Sequence, residues 1–265
     1  MALNPPHWTD CRKELADRLG SVPRLLVATD FDGTLAPICA RPDDVSLPAE
    51  SHAALAALAA HPGVRVAVLS GRNLADLIRR MDLPRAVHAG NHGLEIQGGG
   101  MDYVQSEALA ARPVLDAAVL FLREALQGLP GIFIEDKGLT LSVHYRLADL
   151  AGLPQVETAA VACAARFPTL KRHNGKMVVE FRPDVAWNKG FALKRLLKGL
   201  GLPAAAALYM GDDTTDEDAF AALNGLGTSL HVSQDPESPT RARYRLRDPE
   251  DTADFLDWLK KLRVG

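Results

Sequence analysis

Two aspartates one residue apart, Asp30 and Asp32, stand at the end of the apolar run Leu25-Leu26-Val27-Ala28-Thr29 and are followed by Gly33 and Thr34. The run reads as a buried parallel strand, and in an open α/β sheet the ligand crevice lies beyond the carboxyl ends of the strands. A turn at Gly33 can aim one carboxylate and one backbone carbonyl at a common point. That suits a hard divalent cation such as Mg²⁺, which takes oxygen ligands. An ordinary strand followed by an Asp-Gly turn fits the same residues.

Four further stretches carry polar groups at predicted strand exits or helix starts. Ser70-Gly71-Arg72 follows the β-rich run Val64-Arg65-Val66-Ala67-Val68-Leu69. A small hydroxyl followed by glycine lets a side chain and a backbone N–H approach an anionic oxygen. A helix N-cap at Ser70 or Asn73 fits equally well. His92 lies between Gly90 and Gly93, with Glu95 beyond, either at the crevice edge or as a solvated turn residue. Lys189 opens a helix, where a cation is electrostatically contrary and calls for an anion nearby. Asp212 and Asp213 end the apolar stretch 204–210, and carboxylates gathered there repel one another unless a cation joins them. Glu217 and Asp218 need no such account, because a helix N-terminus favours acids.

These stretches need elements to hold them. Strands at 25–29, 64–69, 86–90, 204–210 and 229–232 alternate with helices at 48–60, from 73 or 74 onward, 189–198 and 248–262, which is the pattern of a parallel sheet covered on both faces. A short amphipathic helix at 9–20 packs outside it, and 36–42 is too rich in proline for regular structure. Gly98-Gly99-Gly100 breaks the alternation. Beyond it come a helix at 108–126, strands at 132–136 and 139–145, a helix at 153–166 and strands at 169–174 and 177–182. This is an α+β unit of hairpins, and two hinge-like connections are what a lid needs. The division expected is a core of residues 1–105 and 185–265 and an inserted cap of residues 106–184.

The insert carries Glu135, Lys137, His144, Arg146, Lys176 and Glu180 on or beside its strands and turns. Carboxylates that accept and cations that donate suit the hydroxyls of a sugar, and a solvated sheet face laced with weak ion pairs has the same composition. With 265 residues the chain can bury one large core or two smaller ones, and a net charge of -3 gives no basic footprint for nucleic acid. Cys11, Cys39 and Cys163 are few, odd in number and without metal-ligand spacing. The first eight residues lack a basic region followed by an apolar one, and no apolar segment approaches the ~20 residues that cross a bilayer. The cytoplasm is the expected compartment, with neither membrane nor nucleic acid as partner.

Asp30-Phe31-Asp32-Gly33-Thr34-Leu35, Ser70, Lys189 and Gly211-Asp212-Asp213 resemble, in order, the four motifs of the haloacid dehalogenase superfamily. The resemblance implies a Rossmann-like α/β core with a parallel sheet and an inserted α+β cap. More narrowly, the chain is similar to the trehalose-6-phosphate phosphatases, through Leu69-Ser70-Gly71-Arg72, Gly90-Asn91-His92-Gly93-Leu94-Glu95, Glu135-Asp136-Lys137-Gly138, Val143-His144-Tyr145-Arg146, Gly175-Lys176 with Glu180-Phe181-Arg182-Pro183, and Asn188-Lys189-Gly190. That family often has Tyr where this chain has Phe31. The resemblance implies a phosphatase of trehalose biosynthesis, with Asp30 as nucleophile, Asp32 as general acid and base, and Ser70 and Lys189 around the phosphoryl group. It implies Mg²⁺ on Asp30, the Asp32 carbonyl, Asp212 and Asp213, with Asp216 orienting Lys189. Substrate contacts are expected from Thr34, Arg72, His92, Glu135, Lys137, His144, Arg146, Lys176 and Glu180. The partner it suggests, besides the sugar phosphate, is a trehalose-phosphate synthase. Sibling phosphatases of sucrose phosphate, glucosylglycerol phosphate or mannosylglycerate phosphate, or a sugar-phosphate sensor without activity, share much of this pattern.

Overall fold

The computed structural model describes residues 4–149, 152–223 and 225–265; residues 1–3, the start of the stretch read for a leader, lie outside them. After a 3₁₀ turn at Trp8–Cys11 come α1 (Arg12–Gly20), β1 (Leu25–Thr29), α2 (Ala49–Ala60), β2 (Val64–Leu69) and α3 (Leu74–Met81). Next are β3 (Val87–Gly90), β4 (Glu95–Gly98), β5 (Met101–Val104), α4 (Ser106–Ala110) and α5 (Arg112–Ala125). The chain continues through β6 (Phe133–Asp136), β7 (Leu141–His144), α6 (Leu153–Arg166), β8 (Leu170–Gly175) and β9 (Val178–Pro183). It ends with α7 (Lys189–Leu200), β10 (Ala207–Gly211), α8 (Asp216–Leu223), β11 (Thr228–Val232), β12 (Tyr244–Leu246) and α9 (Pro249–Val264). Two compact units result: Met1–Cys39, Val45–Tyr103 and Trp187–Gly265 form one, and Ala40–Asp44 with Val104–Ala186 the other.

The first unit is built on an eight-stranded sheet in the order β12-β11-β10-β1-β2-β3-β4-β5. From β12 to β3 the neighbours are parallel, and β3 pairs with β4 antiparallel. Every residue of β1 is buried, because side chains that alternate in direction meet helices on both faces. Leu25 and Val27 pack in one apolar cluster with Leu15, Leu55, Leu58 and Phe255, and Leu26 and Ala28 in a second with Leu193, Leu196 and Phe220. Burial of each large apolar side chain contributes about 1.5–3 kcal/mol, which fixes the register of the central strand. Thr29 stands opposite Met210 on one side and Val68 on the other, so β1, β10 and β2 release their following residues at one level. That register brings the chain after residues 29, 211 and 69 together.

Several elements differ from the sequence reading. Gly98, the last residue of β4, and the turn residues Gly99 and Gly100, all at positive φ, lead into β5, which extends the sheet where a break is expected. A Cβ on Gly98 would lie 2.5 Å from the carbonyl oxygen of Ala86, so the turn admits only glycine there. The helix expected over 108–126 is two, α4 and α5, meeting at Ala111. Pro113 accounts for the interruption, since it lacks an N–H and its ring meets the carbonyl four residues earlier. The alanine-rich start of the 204–210 stretch is a 3₁₀ turn at Ala204–Ala206 after Pro203, and the strand begins only at Ala207.

Where the chain leaves and re-enters the first unit, Tyr103 and Trp187 face each other with ring centroids 5.5 Å apart, and the Arg195 guanidinium lies 3.4 Å from the Tyr103 ring centroid. The second unit is an antiparallel sheet in the order β6-β7-β9-β8. One face of that sheet packs Leu141, Val143, Val179 and Phe181 against Leu115 and Leu122 of α5 and Val156 and Cys163 of α6. On the other face the register sets Glu135, Ser142, Glu180 and His173 in one row across the four strands. Among the described residues no helix is long and apolar enough to cross a membrane.

The two ends of the first unit are fastened by one carboxylate. Asp251, 2 % exposed, accepts hydrogen bonds from His7 Nε2 at 2.7 Å, Trp8 Nε1 at 2.9 Å and the Arg247 N–H at 2.9 Å. Burial raises its pKa, but the hydrogen bonds from Trp8, Arg247 and His7 outweigh burial and bring it from 3.8 to about 2. A carboxyl group that is more acidic in the folded state stabilises the fold above its unfolded pKa, and that contribution is lost as pH falls through the folded one. Wild-type stability from urea unfolding should therefore decline by about 2 kcal/mol between pH ~4 and pH ~2 on account of this group. Asp251→Asn should remove that part of the slope, and an unchanged slope in the variant would contradict the assignment.

Candidate active site

The level strand ends of the first unit place Asp30, Gly33, Asp212 and Asp216 together. Gly33 has φ +84°, and a Cβ on it would come within 2.3 Å of Asp212 Oδ2, so the glycine both makes the turn and admits the second carboxylate. Thr34 Oγ1 donates to Asp212 Oδ1 at 3.2 Å. Carboxylate oxygens of Asp30, Asp212 and Asp216 lie within 4.8 Å of one another, an arrangement that can hold a metal ion.

Lys189 enters this cluster from the first turn of α7, whose N-cap, Asn188, accepts the Phe191 N–H at 2.9 Å. Its ammonium is 3.0 Å from Asp30 Oδ2 and 2.7 Å from Asp216 Oδ1, and the side chain is 2 % exposed. Burial alone would lower the lysine pKa; Asp216 and Asp30 together raise it above its ordinary value. The Asp30 pKa is raised too, which for a carboxyl favours the neutral form. Burial moves its pKa well up, Lys189 opposes this, and the neighbouring carboxylates Asp216, Asp212 and Asp32 reinforce it. Asp216 has no acceptor position to spare, since Oδ1 takes Lys189 and the Tyr209 hydroxyl at 2.7 Å while Oδ2 takes the N–H groups of Asp212 and Asp213. It orients the lysine, and of the three carboxylates that can hold an ion, Asp30 and Asp212 are the two not committed to that task. Hard oxygen donors and an excess of negative charge over one ammonium fit a divalent ion.

The other sequence-derived site residues fall into distinct places. Asp32 lies outside the carboxylate cluster, its two oxygens 2.8 and 2.7 Å from Arg72 Nε and Nη2. Asp213 Oδ1 takes the Thr214 N–H at 2.7 Å and shapes its own turn. Ser70 is buried, its hydroxyl accepts the Arg72 N–H at 3.2 Å, and the helix cap belongs to Asn73. His92, at φ +58°, is buried rather than solvated, and its ring occupies the space a Cβ on Gly71 would need. In the second unit His144 Nε2 is 2.8 Å from Glu135 Oε2. Buried Glu180 is held by Lys137 Nζ at 3.1 Å and Arg182 Nε at 2.6 Å. Arg146 donates to the Lys176 carbonyl at 2.6 Å on the exposed surface.

Several participants escape sequence reasoning. Tyr209 reads as one more apolar residue of a buried strand. Asp76 reads as an acid in the first turn of α3, yet it receives Arg72, Arg79 and Arg80. Burial raises its pKa, and the three arginines reverse this and bring it to about 2. Glu95 accepts the Leu74 N–H at 2.9 Å, capping α3 from another strand. Glu217 accepts the Thr240 hydroxyl and the Arg241 N–H, a tertiary tie beyond the helix-end role assigned from sequence.

A model of the trehalose-phosphatase family matches residues 28–250, a span that takes in both units. The chain belongs to this family. Among its relatives is the trehalose-phosphate phosphatase of Mycobacterium marinum, 39 % identical over 241 residues that cover 89 % of this chain and 61 % of that protein. The Mycobacterium tuberculosis protein of the same name is 40 % identical over 238 residues, covering 88 % of this chain and 60 % of the other. The chain thus spans about three-fifths of the length of these curated relatives. Family membership extends to solved structures. The C-terminal domain of the Candida albicans trehalose-6-phosphate phosphatase matches with a TM-score of 0.82 at 25 % identity, covering 98 % of this chain and 99 % of that one. A haloacid dehalogenase-like hydrolase from Bacteroides thetaiotaomicron, at 15 % identity and a TM-score of 0.65, shares the fold.

The charge arrangement predicts how a trehalose-phosphatase family core responds to losing its buried cation. Lys189→Met should cost about 3–5 kcal/mol, the usual penalty for leaving buried charge without its partner. Adding a divalent cation should recover part of that loss, because the ion faces the same carboxylates. Urea unfolding with and without the cation checks both, and a variant as stable as wild type without it would refute the account.

Proposed function

We propose that the chain hydrolyses trehalose 6-phosphate to trehalose and phosphate through an aspartyl phosphate on Asp30, with Mg²⁺ as the cation. The observation that carries the reading is the buried Asp30 carboxylate, 3.0 Å from the Lys189 ammonium and facing Asp212. A nucleophile, a fixed cation and a second acidic group at one strand-end level are the parts phosphoryl transfer needs. Mg²⁺ on Asp30, the Asp32 carbonyl and Asp212, with Asp213 nearby, would supply positive charge against phosphoryl oxygens.

In the first step an oxygen of Asp30 bonds to phosphorus, the bond from phosphorus to the sugar oxygen breaks, and Asp32 gives that oxygen a proton. In the second, Asp32 takes a proton from water as the water oxygen bonds to phosphorus and the bond to Asp30 breaks. Lys189 opposes the charge that both steps concentrate on the phosphoryl oxygens, and Ser70, Thr34 and nearby N–H groups add donors. The row of Glu135, Ser142, Glu180 and His173, with Lys137, His144, Arg146 and Lys176, supports a sugar as substrate, since it mixes acceptors and donors. Under this reading residues 106–184 are the specificity cap. Arg72 and His92 stand at the core side of the reading through their ties to Asp32 and Gly71. The compartment proposed is the cytoplasm, and the partner is a trehalose-phosphate synthase, the enzyme class whose product is this substrate.

Phosphate release should be fast from trehalose 6-phosphate and at least about tenfold slower, as kcat/KM, from glucose 6-phosphate, sucrose 6-phosphate and the glycerol- and glycerate-linked sugar phosphates. Omitting Mg²⁺ should abolish it. Asp30→Asn should lower kcat by at least about 10⁴-fold with an unchanged circular dichroism spectrum. Retention of most activity by that variant with metal present removes Asp30 as the nucleophile, and a preference for another substrate moves the chain to a sibling specificity.

A further inference from the structure

Arg72 is held from every side that the structure describes. Its Nε and Nη2 donate to the two oxygens of Asp32 at 2.8 and 2.7 Å, and its Nη1 donates to Asp76 Oδ2 at 2.8 Å. The guanidinium carbon lies 5.4 Å from the ring centroid of Phe31, which is fully buried. The backbone is fixed as well: its N–H reaches the Ser70 hydroxyl, and its carbonyl takes the Asn91 N–H at 2.7 Å. The Arg72 side chain is 8 % exposed and that of Asp32 34 %.

An arginine that reads a substrate keeps its planar fork for the ligand. This one presents the fork to a carboxylate of its own chain. The inference rests on the proposed phosphatase reading, in which Asp32 passes a proton twice. An aspartate carboxyl turns broadly about its last torsion, and a one-third exposed one has little packing to stop it. Two parallel N–H···O bonds from a rigid guanidinium fix its plane, which a single ammonium contact does not. An ionised carboxylate has about four acceptor sites, so the fork occupies two and leaves one on each oxygen for the reacting groups.

We propose that Arg72 is a positioning residue for Asp32 rather than a substrate-binding one: seated on Phe31 and backed by Asp76, it sets the plane in which Asp32 meets the leaving oxygen. Arg72 exchanges no proton and forms no bond to substrate in either step. Proton, leaving group and water move as already described, between Asp32, the sugar oxygen and the attacking water. The proposal also gives the aromatic residue between the two aspartates a task, which is to carry the guanidinium face.

The test is steady-state kinetics on trehalose 6-phosphate with saturating Mg²⁺, comparing wild type with Arg72→Met, which keeps an apolar stem and removes every donor, and Arg72→Lys. A positioning role lowers kcat by about 100-fold in Arg72→Met while KM stays within about threefold. Arg72→Lys, with a point charge instead of a fork, recovers only part of the loss. If Arg72→Met does not fold, as judged by circular dichroism and Tm, the split between kcat and KM in Arg72→Lys decides. A rise in KM with kcat unchanged overturns the proposal in favour of substrate binding. A fall in kcat that only parallels a fall in folded protein, with lysine restoring both, overturns it in favour of scaffolding. A wild type that releases phosphate from no sugar phosphate overturns the phosphatase reading itself, an outcome distinct from an active wild type whose Arg72 variants fail the kinetic split.

Discussion

An ammonium group gives up water only where carboxylates take its place, and carboxylates crowd together only around a cation. Lys189 satisfies both conditions at once, 2.7 Å from Asp216 and 3.0 Å from Asp30. Each partner is buried, and each would be expensive to bury alone. The strand ends of β1 and β10 and the first turn of α7 are therefore coupled through charge as well as through packing. Tyr209 extends the coupling into the sheet, because its hydroxyl shares Asp216 Oδ1 with the lysine. One ammonium does not balance Asp30, Asp212 and Asp216, and the remaining negative charge is what makes the site receptive to a divalent ion.

A second charged cluster is built differently. Asp76 sits in the first turn of α3 with three arginines around it, and Asp32 is tied to one of them. Here cations outnumber carboxylates, so the cluster is self-sufficient and has no need of an ion. The two aspartates of the first motif thus enter opposite electrostatic surroundings. Asp30 lies in a field of carboxylates with one lysine, and Asp32 beside a guanidinium. A separation of one residue is enough for this because the strand ends at Thr29, just before them, and Gly33 turns the chain at φ +84°.

The core was legible where burial dictates composition. The run 25–29 is apolar throughout because both of its faces meet helices, and Asp248 with Pro249 marks the start of α9 by a cap that needs no tertiary partner. The hairpin of β4 and β5 was not legible, since three consecutive glycines signal a break until the adjacent Ala86 carbonyl shows why no Cβ is allowed. β12 was missed as well. Its short Tyr244–Leu246 run lies among alternating arginines and is a strand only because β11 pairs with it. In the site, spacing pointed to acids and a lysine, and the expected pairing of Asp216 with Lys189 is present at 2.7 Å, but nothing in the spacing paired Asp32 with Arg72. Asp76 draws its arginines from within four residues of itself, a local spacing easily taken for a solvated helix turn, and Arg72 looks like a ligand-reading arginine until Asp32 is seen beneath its fork.

The second unit separates its two tasks by strand alternation. Leu141, Val143, Val179 and Phe181 point to the helices, while Ser142, His144 and Glu180, on the same strands, belong to the opposite face. A substitution at 135, 142, 173 or 180 changes the polar row without opening a cavity against α5 or α6. The row is held in shape by its own pairs, His144 with Glu135 and Glu180 between Lys137 and Arg182. Because these groups satisfy one another before any ligand arrives, a ligand gains only the difference between its own hydrogen bonds and those it replaces. Under the proposed reading, discrimination between similar sugars then depends on whether a hydroxyl reproduces the exchanged partner's geometry. A missing or misplaced hydroxyl leaves a buried carboxylate or cation incompletely paired, and that loss is larger than what a well-placed hydroxyl adds.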